Sequence, residues 1–403
     1  MINRTLIRNV MIVDGTVRAG NLLLEDGKIL SVLPPCFEPP ATTVIDGEGL
    51  YASAGLIELH AHGAGGHDFM DGTQEAYDGA CETHLRHGVT TILPTTVAAS
   101  DREYRRTIDS FREARRSRAD RQCLLGMHFE GPYFPPQRAG GMDLRYIMPP
   151  QRQAYLELMA YADGCIARWS AAPELPGAEQ FAADCLANGI LPSIGHTDAT
   201  IRDVRRAIKA GFRHITHLYS DMSTITRESG FRVPGVLECA YLFDELWVEV
   251  IADGCHLPPD LMRMIYRLIG PERLQLCSDS IRPAGTDEVG EVIVGSLESG
   301  VRGIIEDGVA KFLDRSAFLG SVQVGVDLVR TMCQKVGVPL AESVRMMTEN
   351  PAKILRIDDR KGRLSPGYDA DILLFDGDVR VRRVFYQGNP VVSNEEYVKE
   401  KTK

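Results

Sequence analysis

The 403-residue sequence lacks the features that mark membrane, secreted or nucleic-acid-binding proteins. It has no run of about 18 apolar residues, the length that predicts a membrane-spanning helix. Arg4, Arg8 and Asp14 interrupt the apolar stretches near the start, where a signal peptide would need a continuous apolar core. Lys plus Arg number 45 against 55 Asp plus Glu, so the net charge of −10 lacks the basic excess of a nucleic-acid-binding protein. We therefore expect a cytoplasmic protein with neither a nucleic-acid nor a membrane partner.

Cysteine is also used sparingly. The nine cysteines are odd in number and form no CxxC pair, which favours reduced thiols over a disulfide framework. What remains is an ordinary globular composition, with 44% hydrophobic and 25% charged residues. A chain of this length is large enough for an α/β barrel and a smaller second unit.

The two ends of the chain have the pattern of short strands. Alternating apolar residues and a hairpin-type turn at Asp26-Gly27 characterise the N-terminal part, and the C-terminal part repeats this style around Gly and Pro. This similarity predicts one small β-sandwich domain formed by residues 1–52 and 353–403. The catalytic domain, residues 53–352, would then be inserted between its two halves.

The middle of the chain alternates between apolar strands and amphipathic helices. Continuous apolar strands such as VTTILPTTV, CLLGMHFEG and LWVEVIADG fit a parallel sheet that helices cover. Because nearly eight such units follow one another, the pattern predicts a closed (β/α)₈ barrel of the TIM type.

Polar residues stand where the predicted barrel strands end. The active site of such a barrel lies at the C-terminal ends of its strands, so side chains at these positions would converge on one mouth. His60 and His62 are two residues apart, which places both imidazoles on one side of an extended strand. The full set of strand-end residues is His60, His62, Glu130, His196, His217, His256 and Asp279.

This set predicts a catalytic metal site. An HxH pair alone is weak support for a metal, but seven such residues in one strand series are hard to obtain from core packing. Imidazoles and a carboxylate without cysteine suit Zn²⁺, and Glu130 with two histidines would leave a position open for water. Asp279 is then the natural general acid and base, and His256 could polarise a substrate carbonyl. His128 shares a face with Glu130, where a supporting hydrogen bond is favoured over ligation.

The ordered motifs are similar to those of one family. AGLIELHAHGAGGHDFMD, GMHFEGPYFPPQRAG, GHTDAT, THLYSDMS, RVPG, IADGCH and CSDSIRPAG resemble the motif series of the N-acetylglucosamine-6-phosphate deacetylases of the amidohydrolase superfamily. The likeness extends over essentially the whole chain, to the closing SPGYDADILLFD. It implies hydrolysis of an N-acetyl amino sugar, a (β/α)₈ barrel with a small β-sandwich, and a homodimer.

The resemblance also implies roles for individual residues. Glu130, His196 and His217 match the principal metal ligands, and we expect them to hold the tighter ion. His60 and His62 are retained, whereas some family members replace them, so one or two Zn²⁺ ions per subunit are expected. In the same comparison Asp279 matches the acid and base, and His256 matches the histidine that contacts the substrate acetamide.

One segment departs from the family pattern. After THLY the family usually has Asn-Ala-Met, which helps to hold the sugar phosphate, whereas this chain has Ser220, Asp221 and Met222. An aspartate facing the substrate would repel a phosphate dianion. Arg232 still matches the arginine that reaches the phosphate from the neighbouring subunit. We therefore count Ser220, Asp221 and Arg232 with His256 as substrate-binding residues.

Two other functions stay open on the sequence alone. The same metal chemistry could act on a non-phosphorylated N-acyl substrate: an N-acetyl sugar, an N-acyl amino acid or a cyclic amide. A non-catalytic barrel serving as a scaffold is disfavoured, because such relatives usually lose ligands or the acid.

Overall fold

The computed structural model describes residues 4–298 and 300–393. Its first segment consists of five strands, and tight turns join the first three of them. The predicted turn between the second and third strands is present, with Asp26 and Gly27 both at positive φ, 49° and 76°. The opening strands are β1 (Arg4–Asp14), β2 (Thr16–Glu25), β3 (Lys28–Leu33), β4 (Thr43–Asp46) and β5 (Tyr51–Ala54).

A parallel barrel follows. Seven parallel pairings run from β6 through β9, β11, β12, β13, β14 and β17 to β18, and a parallel bridge between Ala61 and Ser280 joins the last strand to the first. The (β/α)₈ prediction is therefore confirmed. The strands of this segment are β6 (Leu56–Ala61), β7 (Gly63–Ala64), β8 (His67–Asp68), β9 (Val89–Thr96), β10 (Cys123–Leu124), β11 (Met127–Glu130), β12 (Ile166–Ala171), β13 (Leu191–Ile194), β14 (His214–Ile215), β15 (Thr226–Glu228), β16 (Phe231–Val233), β17 (Trp247–Ile251) and β18 (Leu274–Cys277).

Helices cover the outside of the barrel. The N-terminus of the second helix is capped by Ser100, whose hydroxyl accepts a hydrogen bond from the Glu103 N–H while the Glu103 carboxylate accepts from the Ser100 N–H. Phe129, Trp169 and Phe181 pack edge to face between strands and helices, with ring centroids 5.1 and 5.3 Å apart. The helices of this segment are α1 (Gln74–Arg86), α2 (Asp101–Ser117), α3 (Arg152–Ala162), α4 (Ala178–Ala187), α5 (Ile201–Ala210), α6 (Val236–Leu242) and α7 (Pro259–Ile269).

An antiparallel sheet is inserted after the last barrel strand, a feature that sequence analysis did not predict. It pairs β19 (Gly290–Val294), β20 (Val301–Glu306), β21 (Val309–Phe312) and β22 (Phe318–Ser321) in order. Three short helices complete the barrel wall: α8 (Val326–Arg330), continued by a π-helical turn, α9 (Leu340–Arg345) and α10 (Glu349–Ile354).

The C-terminal strands return to the first segment. They are β23 (Ile372–Phe375), β24 (Val381–Tyr386) and β25 (Asn389–Ser393). With β1 to β5 they form one hydrogen-bonded sheet, in which β23 pairs with β5. A bulge near Asn9 lets β1 pair first with β4 and then with β5. In the described part of the chain, no helix has the length and apolarity to cross a membrane.

Candidate active site

Six of the predicted strand-end residues meet at one end of the barrel. Glu130 ends β11, and His60 is the penultimate residue of β6. His62 directly follows β6. His196, His217 and Asp279 each lie two residues beyond the ends of β13, β14 and β18. The histidines and Glu130 are buried, as the interior of a barrel mouth requires.

Four donor atoms form the first of two groups, which we call the four-donor set: His60 Nε2, His62 Nε2, Glu130 Oε2 and Asp279 Oδ1. His60 lies 3.3 Å from His62, 3.4 Å from Glu130 and 3.3 Å from Asp279. His62 lies 3.1 Å from Glu130 and 3.2 Å from Asp279. Zinc ligands at about 2.0–2.2 Å in a tetrahedron are themselves about 3.3–3.6 Å apart. These five separations therefore approach the edges of a tetrahedron around a small divalent ion.

The other oxygen of Glu130 belongs to a second group, the three-donor set: Glu130 Oε1, His196 Nε2 and His217 Nε2. The two nitrogens lie 3.3 and 2.8 Å from the Glu130 oxygen and 3.2 Å from each other. One carboxylate thus connects both sets. Three protein donors are the number typical of a catalytic zinc site, which keeps a fourth position for water.

The charges of these groups complement one another. Burial alone would raise the pKa of Asp279, but the facing His60 and His62 lower it to about 2. Burial would lower the pKa of His62, yet hydrogen bonds to Asp279 and Glu130 raise it to about 9. Several imidazole nitrogens and carboxylate oxygens lie close together in this buried volume. A divalent cation binds such donors and neutralises the negative charge of the carboxylates. The residues present therefore fit a metal.

The backbone at these positions is strained. His196, His217 and Asp279 have φ values of 46°, 28° and 47°, in a region that residues with a Cβ rarely adopt. Such conformations cost on the order of 1–3 kcal/mol each and concentrate at functional sites. The strain turns the chain sharply after each strand, so that the side chain points into the barrel mouth.

Hydrogen bonds from behind orient two of the imidazoles. Nδ1 of His196 donates to the Arg138 carbonyl at 2.8 Å, and Nδ1 of His60 donates to Glu249 at 3.1 Å. Each bond leaves Nε2 free to face its donor set. His128 lies beside His60 with ring centroids 4.6 Å apart and hydrogen-bonds Ser170 at 2.8 Å rather than joining either set.

His256 is held by an aspartate that sequence analysis did not single out. Its Nδ1 donates to Asp253 at 2.7 Å, and Asp253 also accepts from the His256 backbone N–H at 2.9 Å. Burial would lower the pKa of His256, but Asp253 raises it. The IADGCH motif contains this acid three residues before the histidine, a signal that could have been used. Phe318 of the inserted sheet packs against the ring at 4.9 Å.

The three remaining predicted residues lie on the segment after β14. Ser220 closes a turn by donating its N–H to the His217 carbonyl at 3.0 Å. Asp221 Oδ2 lies 3.8 Å from His196 Nδ1 and its side chain is 39% exposed. Arg232 lies on the exposed hairpin of β15 and β16, directly opposite Arg227.

Comparison with known proteins agrees with this geometry. The model of the amidohydrolase family matches residues 51–398. The chain belongs to the amidohydrolase family. This amidohydrolase is 30% identical over 381 residues to an N-acetylglucosamine-6-phosphate deacetylase of Lysinibacillus sphaericus, covering 92% of this chain and 93% of that one. It is 27% identical to an N-acetylgalactosamine-6-phosphate deacetylase of Escherichia coli O157:H7, over 92% and 98% of the two chains.

Solved structures give the same result. N-acetylglucosamine-6-phosphate deacetylase from Pasteurella multocida matches with a TM-score of 0.88 and 28% identity, over 97% of this chain and all of that one. A variant of the Mycobacterium smegmatis enzyme in complex with N-acetyl-D-glucosamine-6-phosphate matches with a TM-score of 0.87 and 27% identity, over 97% and 100%. The resemblance inferred from the sequence motifs is confirmed, and the amidohydrolase is a hydrolytic enzyme with a candidate metal site.

Proposed function

We propose that this amidohydrolase hydrolyses the acetamide of N-acetylglucosamine 6-phosphate to glucosamine 6-phosphate and acetate. The observation that carries the proposal is a complete set of metal donors and an acid, Asp279, at the strand ends of a fold that matches a deacetylase of this substrate along its whole length. The curated relatives with this activity support the same substrate class.

Zinc is the ion we propose, bound by one or both donor sets. Imidazole and carboxylate donors without a thiolate, at separations near those of a tetrahedron, support this choice. A bound zinc would polarise the acetamide carbonyl and bring the pKa of a water to about 7. Glu130, His196 and His217 would leave the open position that such chemistry needs.

The protein's own groups would move the proton. Asp279, ionised beside two histidines, accepts the proton of the attacking water and returns it to the amine that leaves. Asp253 holds the Nδ1 edge of His256, which leaves the Nε2 edge to contact the acetamide oxygen. The products are then acetate and a free amino sugar.

For the sugar end, we propose that Ser220, Asp221 and Arg232 contact the substrate. Arg232 is on an exposed hairpin, from which it would reach a phosphate in the neighbouring subunit of a homodimer. Paired guanidinium N–H donors match the geometry of a phosphate. We also propose a cytoplasmic enzyme, with residues 1–52 and 353–403 as the β domain and residues 53–352 as the catalytic domain.

A non-phosphorylated N-acyl substrate is the second candidate, and Asp221 is the observation that favours it. Its carboxylate lies on the side of the segment that faces His196, rather than turning wholly to solvent. There it could accept hydrogen bonds from a sugar hydroxyl and would oppose a phosphate dianion.

Acetate release from a substrate panel tests the proposal. The zinc-loaded protein would be given N-acetylglucosamine 6-phosphate, its galactosamine epimer, the free sugars and an N-acetyl amino acid. We expect the highest kcat/KM for N-acetylglucosamine 6-phosphate. Equal or reversed preference for the free sugar would refute the phosphate but leave the deacetylase, and no acetate from any sugar would refute the deacetylase.

A further inference from the structure

A buried ion pair lies inside the barrel beneath the two donor sets. Arg168 on β12 and Glu249 on β17 have fully buried side chains. The guanidinium holds the carboxylate with two parallel bonds, Nη1 to Oε2 at 2.5 Å and Nη2 to Oε1 at 2.9 Å. This bidentate geometry fixes the carboxylate in one orientation.

One oxygen of Glu249 contacts both donor sets from behind. Oε1 accepts from Nδ1 of His60 at 3.1 Å and from the backbone N–H of His217 at 3.2 Å. The contact with His60 is to the imidazole itself, whereas the contact with His217 is only to the main chain. Loss of Glu249 would therefore affect the four-donor set directly and the three-donor set indirectly.

Arg168 contacts the residues next to the same two histidines. Its Nη1 donates to the carbonyl of Leu59 at 3.3 Å, and its Nη2 donates to the hydroxyl of Thr216 at 2.9 Å. These residues directly precede His60 and His217 in sequence. The ion pair thus ties strand β6 to the end of β14 at the level where both enter the site.

Stability alone does not explain this pair. Removing two charges from water costs free energy that their attraction often fails to recover, and apolar residues of similar volume commonly serve a core as well or better. A carboxylate behind a metal-binding histidine has a different use. It keeps the proton on Nδ1, orients the ring, and makes Nε2 a better donor to the metal.

We propose that Glu249, held in place by Arg168, is the positioning residue of the four-donor set and determines how tightly that set binds its ion. The inference rests on the proposed metal site but not on the identity of the substrate. It concerns affinity at one of two neighbouring sites, so it can be measured without any turnover.

The test is a zinc titration of the metal-free protein against a chromophoric chelator, which yields one affinity for each bound equivalent. The variant His62→Ala identifies the step that belongs to the four-donor set, because His62 contributes to that set alone. In Glu249→Gln we expect this step to weaken by about 10–100-fold, the usual effect of losing the partner behind a ligand. The other step should change by a much smaller factor.

Glu249→Gln leaves the buried Arg168 without its counter-charge, so this variant could fail to fold. A second variant therefore tests the same inference without an unpaired buried charge. Arg168→Met combined with Glu249→Leu removes both charges and keeps the volume, and we expect the same selective loss. Gln275→Leu is the matched control: Gln275 is fully buried in the same barrel and hydrogen-bonds His214 rather than a donor of either set. Its two affinities should stay near those of the unmodified protein.

Three results would overturn the inference. They are unchanged affinities in both Glu249 variants, an equal loss at both steps, and a single zinc equivalent in the unmodified protein. An equal loss would indicate a purely structural ion pair. Failure of the proposed function is distinguishable, because it would appear as absent acetate release in a protein that still binds two zinc ions with the selective Glu249 effect.

Discussion

The two donor sets share Glu130 but are built differently. The four-donor set takes three of its atoms from neighbouring strand ends, β6 and β18, and its His60 is backed by the negatively charged Glu249. The three-donor set takes His196 and His217 from the ends of β13 and β14. There, Nδ1 of His196 donates to a neutral carbonyl, and Nδ1 of His217 has no hydrogen-bond partner among the residues that the structure describes.

The difference in the number of protein donors indicates different roles for the two sets. A set with four protein donors is filled, as in structural zinc sites, whereas three donors leave room for water or substrate. Strain does not separate the two sets, because Asp279 of the four-donor set has a positive φ just as His196 and His217 do. We infer that the four-donor set mainly places charge and Asp279 correctly, and that the three-donor set is where the acetamide is activated. Substitutions that affect one set, or both, can test this division.

Glu130→Gln should have the largest effect, because it removes the charge shared by both sets. We expect both zinc steps to be lost and turnover to fall beyond the roughly 10²–10⁴-fold typical of a lost proton-transfer group. Zinc stoichiometry and acetate release measure this. Glu342→Gln, on outer helix α9, is the control and should leave both unchanged. One fully retained zinc equivalent would contradict the bridging role.

Asp279→Asn should separate proton transfer from metal binding. Asparagine keeps the shape but cannot accept the proton of water, so kcat should fall by about 10²–10⁴-fold. The three-donor set should keep its zinc, while the four-donor set weakens because Asp279 Oδ1 is one of its donors. The measurements are kcat and the two-step zinc titration. Near-normal turnover would show that another group, such as His256, handles the proton.

Removal of zinc should lower stability in two separable parts. An ion that binds only the folded state at 100 times its Kd adds about 2.7 kcal/mol to the free energy of unfolding. We expect chelation to lower the melting temperature of the unmodified protein in two stages, and of His62→Ala in one. A single stage in both proteins would mean that only one set is occupied.

Much of this site could be predicted, because the pattern of apolar runs shows where the barrel strands end. His60, His62, Glu130, His196, His217 and Asp279 each follow or end an apolar run, and a barrel brings strand ends to one mouth. The hairpin at Asp26-Gly27 was equally predictable, because the conformation of a tight turn depends mainly on its own residues. The inserted sheet β19 to β22 was not predicted, because residues 53–352 were assigned as a whole to one barrel domain.

The buried supports could not be predicted from local pattern. Arg168 and Glu249 are 81 positions apart, and each looks like one polar residue in an apolar strand. Their pairing depends on which strand residues point into the barrel, which is a property of the closed sheet. The sequence did offer one signal for this pair: one strand carries a single positive residue and another a single negative residue among apolar neighbours. Arg232 is a different case, because its proposed contact lies in another subunit.

The smallest expected effect belongs to Asp221, at the edge of the three-donor set. Its side chain is 39% exposed, so solvent screens much of the charge of its carboxylate. Even two unit charges as close as about 4 Å interact in water by only about 1 kcal/mol, or about fivefold in rate, so this value is an upper limit for the effect on a phosphate. Asp221→Asn should therefore raise kcat/KM for the phosphorylated sugar by about two- to fivefold.

The free sugar provides the internal control for this change. Any disturbance of His196 would alter both substrates equally and cancel in the ratio of their kcat/KM values, whereas repulsion of a phosphate acts on one substrate alone. If the charge is responsible, the gain should also shrink as salt is added, since exposed charges are screened within about 10 Å at 0.1 M ionic strength. An unchanged ratio would show that Asp221 does not oppose the phosphate. A ratio that falls would mean that its carboxylate assists the sugar, which would favour the non-phosphorylated substrate over the phosphorylated one.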